Sequence, residues 1–435
     1  MRCLGIDIGS TSIKGAVLDL EQRSVGTPVS SPFPAPIASL PEGWVEIEPQ
    51  AVCKSVDEVI ATLMEQAPYA DRLLFSGQMG GLILIDDRAQ PLTNYISWRD
   101  QRTLAGGDSD EPSFDEVRSR WEEAAYFETL GHELQAGSTT TLLHWLHKQE
   151  RLPSHAMPVT IADFVIAKLV GHPITMHATH AIGMLDLSRD VWHREALECI
   201  GLQHLRLPEL AFDERAVGTA SVVGREFVVH GSYGDQQCAL RGAGLKRGEL
   251  SLNISTGSQV SRRTAAFQPG DYQSRKFFGG DYLDTITHLP AGRSLNVLVD
   301  LLTELARAEG VSLNDPWKSI QSKVAEVEET NLEVDLAFFN GPLGDRGSIM
   351  GITTENLNVG HLFHASFRAM ADNAFLVSHR FGPADWTAVV LSGGITQSSP
   401  LLRTLIEQRF SLPIRESAGE ETLLGLLEIA RSTLN

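Results

Sequence analysis

The chain has 435 residues, 42% hydrophobic and 21% charged, the make-up of a folded protein with room for two core-forming domains, so disorder is excluded. A formal net charge of -19 argues against a nucleic-acid surface, which needs clustered Lys and Arg. Cys3, Cys53, Cys199 and Cys238 are scattered without CxxC spacing, so neither a disulfide framework nor a zinc site is expected. No apolar run approaches the roughly 20 residues that span a bilayer, and no charged-then-apolar signal segment opens the chain. The expected setting is cytoplasmic, with no membrane partner.

In residues 2–20, "RCLGIDIGSTSIKGAVLDL", Leu4, Ile6 and Ile8 alternate with Gly5, Asp7 and Gly9, the period of a strand, with Asp7 on the face opposite the apolar set. Residues 13–20 read as a second strand, so Gly9-Ser10-Thr11-Ser12 is expected to be a hairpin turn. A nucleotide-binding P-loop would instead lead into a helix and end in Gly-Lys-Ser/Thr. Residues 30–44 are too rich in proline for regular structure, and a helical stretch follows at 49–66. Residues 72–86 read as strand, glycine turn, strand, and 112–150 as helical. "IADFVIAKLVG" is a helix ending at Gly171. Residues 248–263, "GELSLNISTGSQVSRR", repeat the opening layout, which predicts two related domains facing each other, 1–228 and 229–435. A buried strand, "WTAVVLSGG", a helix from about Ser399 and a final helix, "EETLLGLLEIARSTL", complete the chain.

Backbone N–H groups and hydroxyls of a tight Gly-Ser-Thr turn converge as donors and can hold a phosphate without a cationic patch. Two such turns, one per domain, would clamp a polyphosphate, although most Gly-Ser-Thr hairpins are merely turns. Asp7 is placed to hold Mg²⁺, which prefers a few carboxylates together with phosphate oxygens. Asp235 follows glycines and leads a short helix that Gly242 terminates. It reads either as an N-cap or as a fixed, ionised base that orients a hydroxyl for in-line attack on a phosphoryl group. Gly393 and Gly394 follow a strand and, lacking Cβ atoms, would let an adenine lie flat; a plain strand-to-helix turn is the alternative. The clusters His172, His177, His180 and His144, His147 lack the acidic or cysteine partners of a ligand set. Trp98-Arg99-Asp100-Gln101-Arg102 is rich in groups that stack on and hydrogen-bond to a polyol.

In this order the stretches resemble the FGGY carbohydrate kinases of the actin and hexokinase superfamily. "GIDIGSTSIKGAVLD" resembles their first phosphate motif, "GWVEIEP" their Gly-Trp segment, and "SGQMGGLILID" and "SWRDQRT" their sugar-site stretches. "ADFVIAKLVG" and "GMLDLSRDVW" are similar to the helix and loop closing their first domain. "GDQQCAL" resembles the catalytic Asp segment, "NISTGS" the second phosphate motif, and "LSGGITQSSPLL" the adenosine motif. The resemblance implies an α/β fold of two ribonuclease-H-like domains, with sugar and ATP meeting in the cleft between them. It implies Asp235 as general base, and Gln78, Met79, Trp98, Asp100, Asp235 and Gln236 around a small sugar. Gly9, Ser10, Thr11, Ser12 and Lys14 would face the phosphates from one side and Thr256, Gly257 and Ser258 from the other, with Gly393 and Gly394 at the adenine and Asp7 at Mg²⁺. A homodimer is compatible with the family. Residues 277–296 and 338–373 look most like the sedoheptulokinase branch, with xylulokinases next. Both branches usually read Gln-Met-His-Gly where this chain has Met79 followed by Gly80 and Gly81. A catalytically silent sugar- or nucleotide-sensing protein on the same fold is the alternative; a chaperone-like or actin-like ATPase is disfavoured by Gln78, Trp98 and Asp100.

Overall fold

Alternation along the opening strand sorts its side chains onto two faces of a sheet. In the computed structural model, which describes residues 1–106, 111–383, 385–417 and 419–434, strand β1 (Arg2–Ile8) turns back antiparallel into β2 (Ser12–Asp19), with Asp7 opposite Lys14. The expected hairpin forms. Leu4, Ile6 and Ile8 enter one core, whereas Cys3 enters another on the reverse face, because successive strand side chains point to opposite sides. Helix α1 (Pro49–Gln66) starts where the Glu48 carboxylate accepts the N–H groups of Gln50 and Ala51. Its Val52, Val56, Val59, Ile60 and Leu63 pack on the first core. Strand β3 (Arg72–Gly77) runs parallel to β1. Helix α2 (Ile161–Val170) covers the same face as α1 and ends at Gly171, with φ of 84°. Strands β4 (Ala216–Val222) and β5 (Arg225–Gly234) complete the order β4–β5–β3–β1–β2.

Three expectations need correction. Residues 112–150 hold two helices, Ser113–Glu123 and Thr139–Lys148, separated by an irregular stretch in which Ala125, Gly131 and His132 have positive φ. Within 30–44, Val29–Pro32 forms a short strand pairing with β2; its one proline, Pro32, is tolerated because the strand lies at the sheet margin. The division expected at residue 228 falls inside β5, whose pairing with β3 continues until Gly234 stands opposite Gly77.

Helix α3 (Asp235–Gly242) leads into the second lobe, whose sheet repeats the plan of the first. Strands β6 (Glu249–Ile254) and β7 (Ser258–Thr264) form a hairpin, β8 (Gln273–Lys276) and β9 (Tyr282–Leu289) extend it, and helix α4 (Val359–Ser378) covers it. Strand β10 (Ala388–Ser392) runs parallel to β6 as β3 does to β1. A single-turn helix, Gly394–Ser398, precedes helix α5 (Pro400–Phe410), whose N-cap Ser399 accepts the Leu402 N–H. Strand β11 (Ile414–Glu416) gives the order β8–β9–β7–β6–β10–β11.

The closing helix, α6 (Glu421–Leu434), returns to the first lobe. With α3 it fills the space between the sheets: Leu240, Leu423, Leu426 and Leu427 share one core with Leu18 and Leu74 of the first lobe and Leu283 and Val390 of the second. A Cβ added at Gly242 would stand 1.9 Å from the Glu421 carbonyl oxygen, and one at Gly425 2.0 Å from that of Cys238. The two helices therefore touch backbone to backbone. No helix among the described residues is long and apolar enough to cross a membrane.

Candidate active site

Three parallel strands deliver the central residues. Ile8, Gly77 and Gly234 lie abreast at the C-terminal ends of β1, β3 and β5, the edge at which open α/β sheets bind ligands. One residue before that line, the Ser76 hydroxyl donates to Asp7 Oδ1 at 2.9 Å. One residue beyond it stands Asp235. Gly234 occupies the N-cap, so Asp235 is the first residue of α3 and not its cap, and its Oδ1 accepts the Gln236 N–H at 2.7 Å. Burial pushes the Asp235 carboxyl up to about 6, against the opposing pull of the Gln236 N–H and the Arg275 guanidinium. Asp7 is pushed up to about 7, first by burial and then by the charge of Asp235. Two carboxylates thus share one corner: burial raises both, and the charge of Asp235 adds to the rise at Asp7.

Around this corner the expected residues divide. Gln78 is buried, accepts the Tyr95 hydroxyl at 3.1 Å and reaches the Gly9 carbonyl at 3.4 Å, tying the first turn to the sugar-site stretch. Met79 packs on the strand end before Asp235, since a Cβ at Gly234 would lie 2.6 Å from its sulfur. Trp98 is 41% exposed and available for stacking. Gln236 is engaged across the lobes: its Nε2 donates to Gln259 at 3.0 Å and Thr285 at 3.2 Å, and its Oε1 accepts from Arg275. Asp100 does not offer itself to a polyol. It is fully buried, and its oxygens accept from the backbone N–H groups of Val45 (2.6 Å) and Arg102 (2.9 Å) and from Arg102 Nε and Nη2 (2.9 and 2.8 Å). A carboxylate has about four acceptor positions, and these are taken by the loop's own structure.

The two turns differ in how open they are. Ser10 and Thr11 hydroxyls have no hydrogen-bond partner among the described residues, while Ser12 already belongs to β2. Lys14 points its ammonium at Glu420, 3.0 and 3.1 Å from the two carboxylate oxygens. In the second turn Thr256 and Gly257 are exposed, and an added Cβ at Gly257 would meet nothing within 4 Å. Ser258 is buried in β7. Gly393, with φ of 98°, needs its missing Cβ for the chain itself, because that atom would lie 2.3 Å from the Ile254 carbonyl oxygen; only Gly394 faces open space. Among the described residues no three His, Cys, Asp or Glu side chains are grouped to hold a metal.

Sequence reasoning missed Ser76, Tyr95, Arg275 and Glu420. Ser76 was findable once β1 and β3 are read as parallel neighbours. Arg275 has no local signal: it reaches Glu133 and Gln236 from a strand of the other lobe.

Two hairpin sheets of like topology, one in each lobe, make up a fold shared with solved sugar kinases. A ligand-bound xylulose kinase from Lactobacillus acidophilus superposes with a TM-score of 0.86 at 19% identity, covering 100% of this chain and 89% of that one. The chain belongs to the FGGY family of carbohydrate kinases, whose N-terminal domain matches residues 2–242. A glycerol kinase from Thermococcus gammatolerans is 26% identical over 278 residues, 60% of this chain and 54% of the relative, so the chain aligns with about half the length of that protein. A sedoheptulokinase from Homo sapiens is 23% identical over 488 residues, 99% of this chain and 98% of the relative.

Proposed function

We propose that the chain transfers the γ-phosphoryl group of ATP to a hydroxyl of a small ketose, sedoheptulose or xylulose, with Asp235 as general base. The observation that carries this reading is the position of Asp235, at the C-terminal edge of the first sheet and beside Asp7. Asp235 takes the proton of the sugar hydroxyl as that oxygen attacks phosphorus, and its raised pKa keeps it a competent acceptor near neutral pH. Ser10, Thr11 and Lys14 face the phosphates from the first lobe; Thr256 and Gly257 face them from the second. Adenine lies against Gly394. Asp7 fits a Mg²⁺ ion, since its Oδ2 has no partner among the described residues and a cation would relieve its repulsion by Asp235. Bound there, the ion supplies positive charge to the phosphate oxygens. Closure of the lobes excludes water, which would otherwise accept the phosphoryl group.

The ketose assignment is supported by the near full-length match to sedoheptulokinase. Gly80 has φ of 74°, and a Cβ there would sit 3.3 Å from that of Trp98, so the backbone of the first sugar-site stretch packs closely on the second. A cytoplasmic setting is consistent with four free cysteines. The test is a screen of sugars and polyols for ADP release, comparing the wild type with Asp235→Asn. On the best sugar the variant should lose about 10²–10⁴-fold in kcat; equal rates would remove Asp235 as base.

A further inference from the structure

The corner that delivers Asp235 is held from the side by Thr179 and His177. Gly234, immediately before Asp235, donates its N–H to Thr179 Oγ1 at 3.0 Å. That oxygen lies 2.8 Å from Nδ1 of His177, and the Thr179 N–H approaches the same nitrogen at 3.3 Å. A backbone N–H can only donate, so Nδ1 accepts the Thr179 N–H, and a ring nitrogen that accepts has no proton to offer the hydroxyl. Both Thr179 groups therefore donate to Nδ1, which must be unprotonated. The proton of the neutral ring then sits on Nε2, which has no hydrogen-bond partner among the described residues. Accepting at Nδ1 is thus the polar work of this ring.

The surroundings keep it so. Thr179 is fully buried and His177 is 5% exposed. The imidazole lies edge-on to Tyr233, with centroids 4.9 Å apart, and stacks on Phe278 at 5.8 Å. Burial pushes its pKa down to about 3, so it remains neutral. Tyr233 is the β5 residue before Gly234, so the aromatic contact and the hydrogen-bond chain grip adjacent positions of one strand end.

We propose that Thr179 and His177 are positioning residues for Asp235: the chain Gly234 N–H to Thr179 Oγ1–H to His177 Nδ1 fixes the direction in which the backbone leaves β5, and with it the aim of the carboxylate. The proposal rests on Asp235 being the base. A misplacement of about 1 Å in a reacting group can cost about 10²-fold in rate, whereas binding of either substrate does not depend on that aim.

The test uses the full chain. Thr179→Val keeps the side-chain shape and removes the hydroxyl. Its kcat should fall about 10- to 100-fold, with KM for ATP and for the sugar each within about 2-fold of wild type. Thr179→Ser should restore kcat, and so should His177→Asn, whose Oδ1 can accept both Thr179 bonds. His177→Phe fills the aromatic slot without an acceptor and should behave like Thr179→Val, which keeps the comparison decisive if the valine variant fails to fold. Wild-type kcat in Thr179→Val or His177→Phe would overturn the proposal, as would loss in His177→Asn equal to that in His177→Phe. A second readout needs no turnover: the ¹⁵N spectrum of the wild-type protein should show His177 protonated at Nε2, and a proton on Nδ1 would overturn the proposal. If the wild type phosphorylates no sugar, the base assignment fails, while the tautomer is still decided by the spectrum.

Discussion

Asp235 and Asp7 bring two negative charges into one buried corner, and each keeps its proton to a higher pH than a free carboxylate does. For Asp235 the folded value of about 6 lies above the ordinary value of about 4. The folded state therefore binds more protons than the unfolded chain between these limits. The stabilisation from that proton is present in full below about pH 4 and is lost as the pH rises through about 6. Asp235→Asn removes the charge, so its stabilising effect should be about 2–3 kcal/mol larger at pH 8 than at pH 4, from 1.36 kcal/mol per pKa unit. Denaturant titration at the two pH values measures it; an effect independent of pH would mean that the carboxylate is solvated in the folded protein. Asp235 was legible in the sequence because glycines isolate it ahead of a short helix. The occupation of Asp100 was legible only in part, since Arg102 lies two residues on but Val45 lies 55 residues away in the chain.

At the scale of elements, the crossing of α3 and α6 depends on two missing side chains. Gly242 and Gly425 let the helix backbones meet at distances that admit no Cβ. Gly425→Ala should lower the unfolding free energy by about 1–3 kcal/mol or more, although alanine favours an isolated helix over glycine by about 1 kcal/mol. A rise in thermal midpoint for this variant would show that the helices can part without loss. Gly242 does end α3, as its place in the sequence suggested, but its partner across the crossing could not be found there. Strand alternation made both hairpins readable, because apolar residues take alternate positions along β1 (Leu4, Ile6, Ile8) and β6 (Leu250, Leu252, Ile254). The irregular stretch between Glu123 and Thr139 escaped notice because Leu130 and Leu134, both buried, stand four residues apart as they would on a helix; the turns at Gly131 and His132 are set by tertiary packing.

For the whole molecule, the lobes are joined by charge as well as by the helices. Arg275 of the second lobe pairs with Glu133 of the first, both at least nine-tenths buried, and Lys276 pairs with Asp190 at 3.0 Å. Removing one partner of such a pair leaves an uncompensated buried charge, which costs about 3–5 kcal/mol. Glu133→Gln should therefore lower stability by up to that amount and weaken the tie between lobes. Solution scattering should show a larger radius of gyration, and an unchanged radius with unchanged stability would assign the lobe contact to the helices alone. That two lobes of like design face each other was legible from the repeated Gly-Ser-Thr layout. How they are fastened was not, because every fastening joins positions far apart in the chain.

The return of α6 to the opening sheet also bears on how the chain is made. Cys3, Ala16, Leu18 and Leu74 leave the ribosome long before the leucines that cover them, Leu423, Leu426 and Leu427. Until then the first half of the nascent protein carries a greasy flank, and domain-by-domain completion, common in larger proteins, is denied to it.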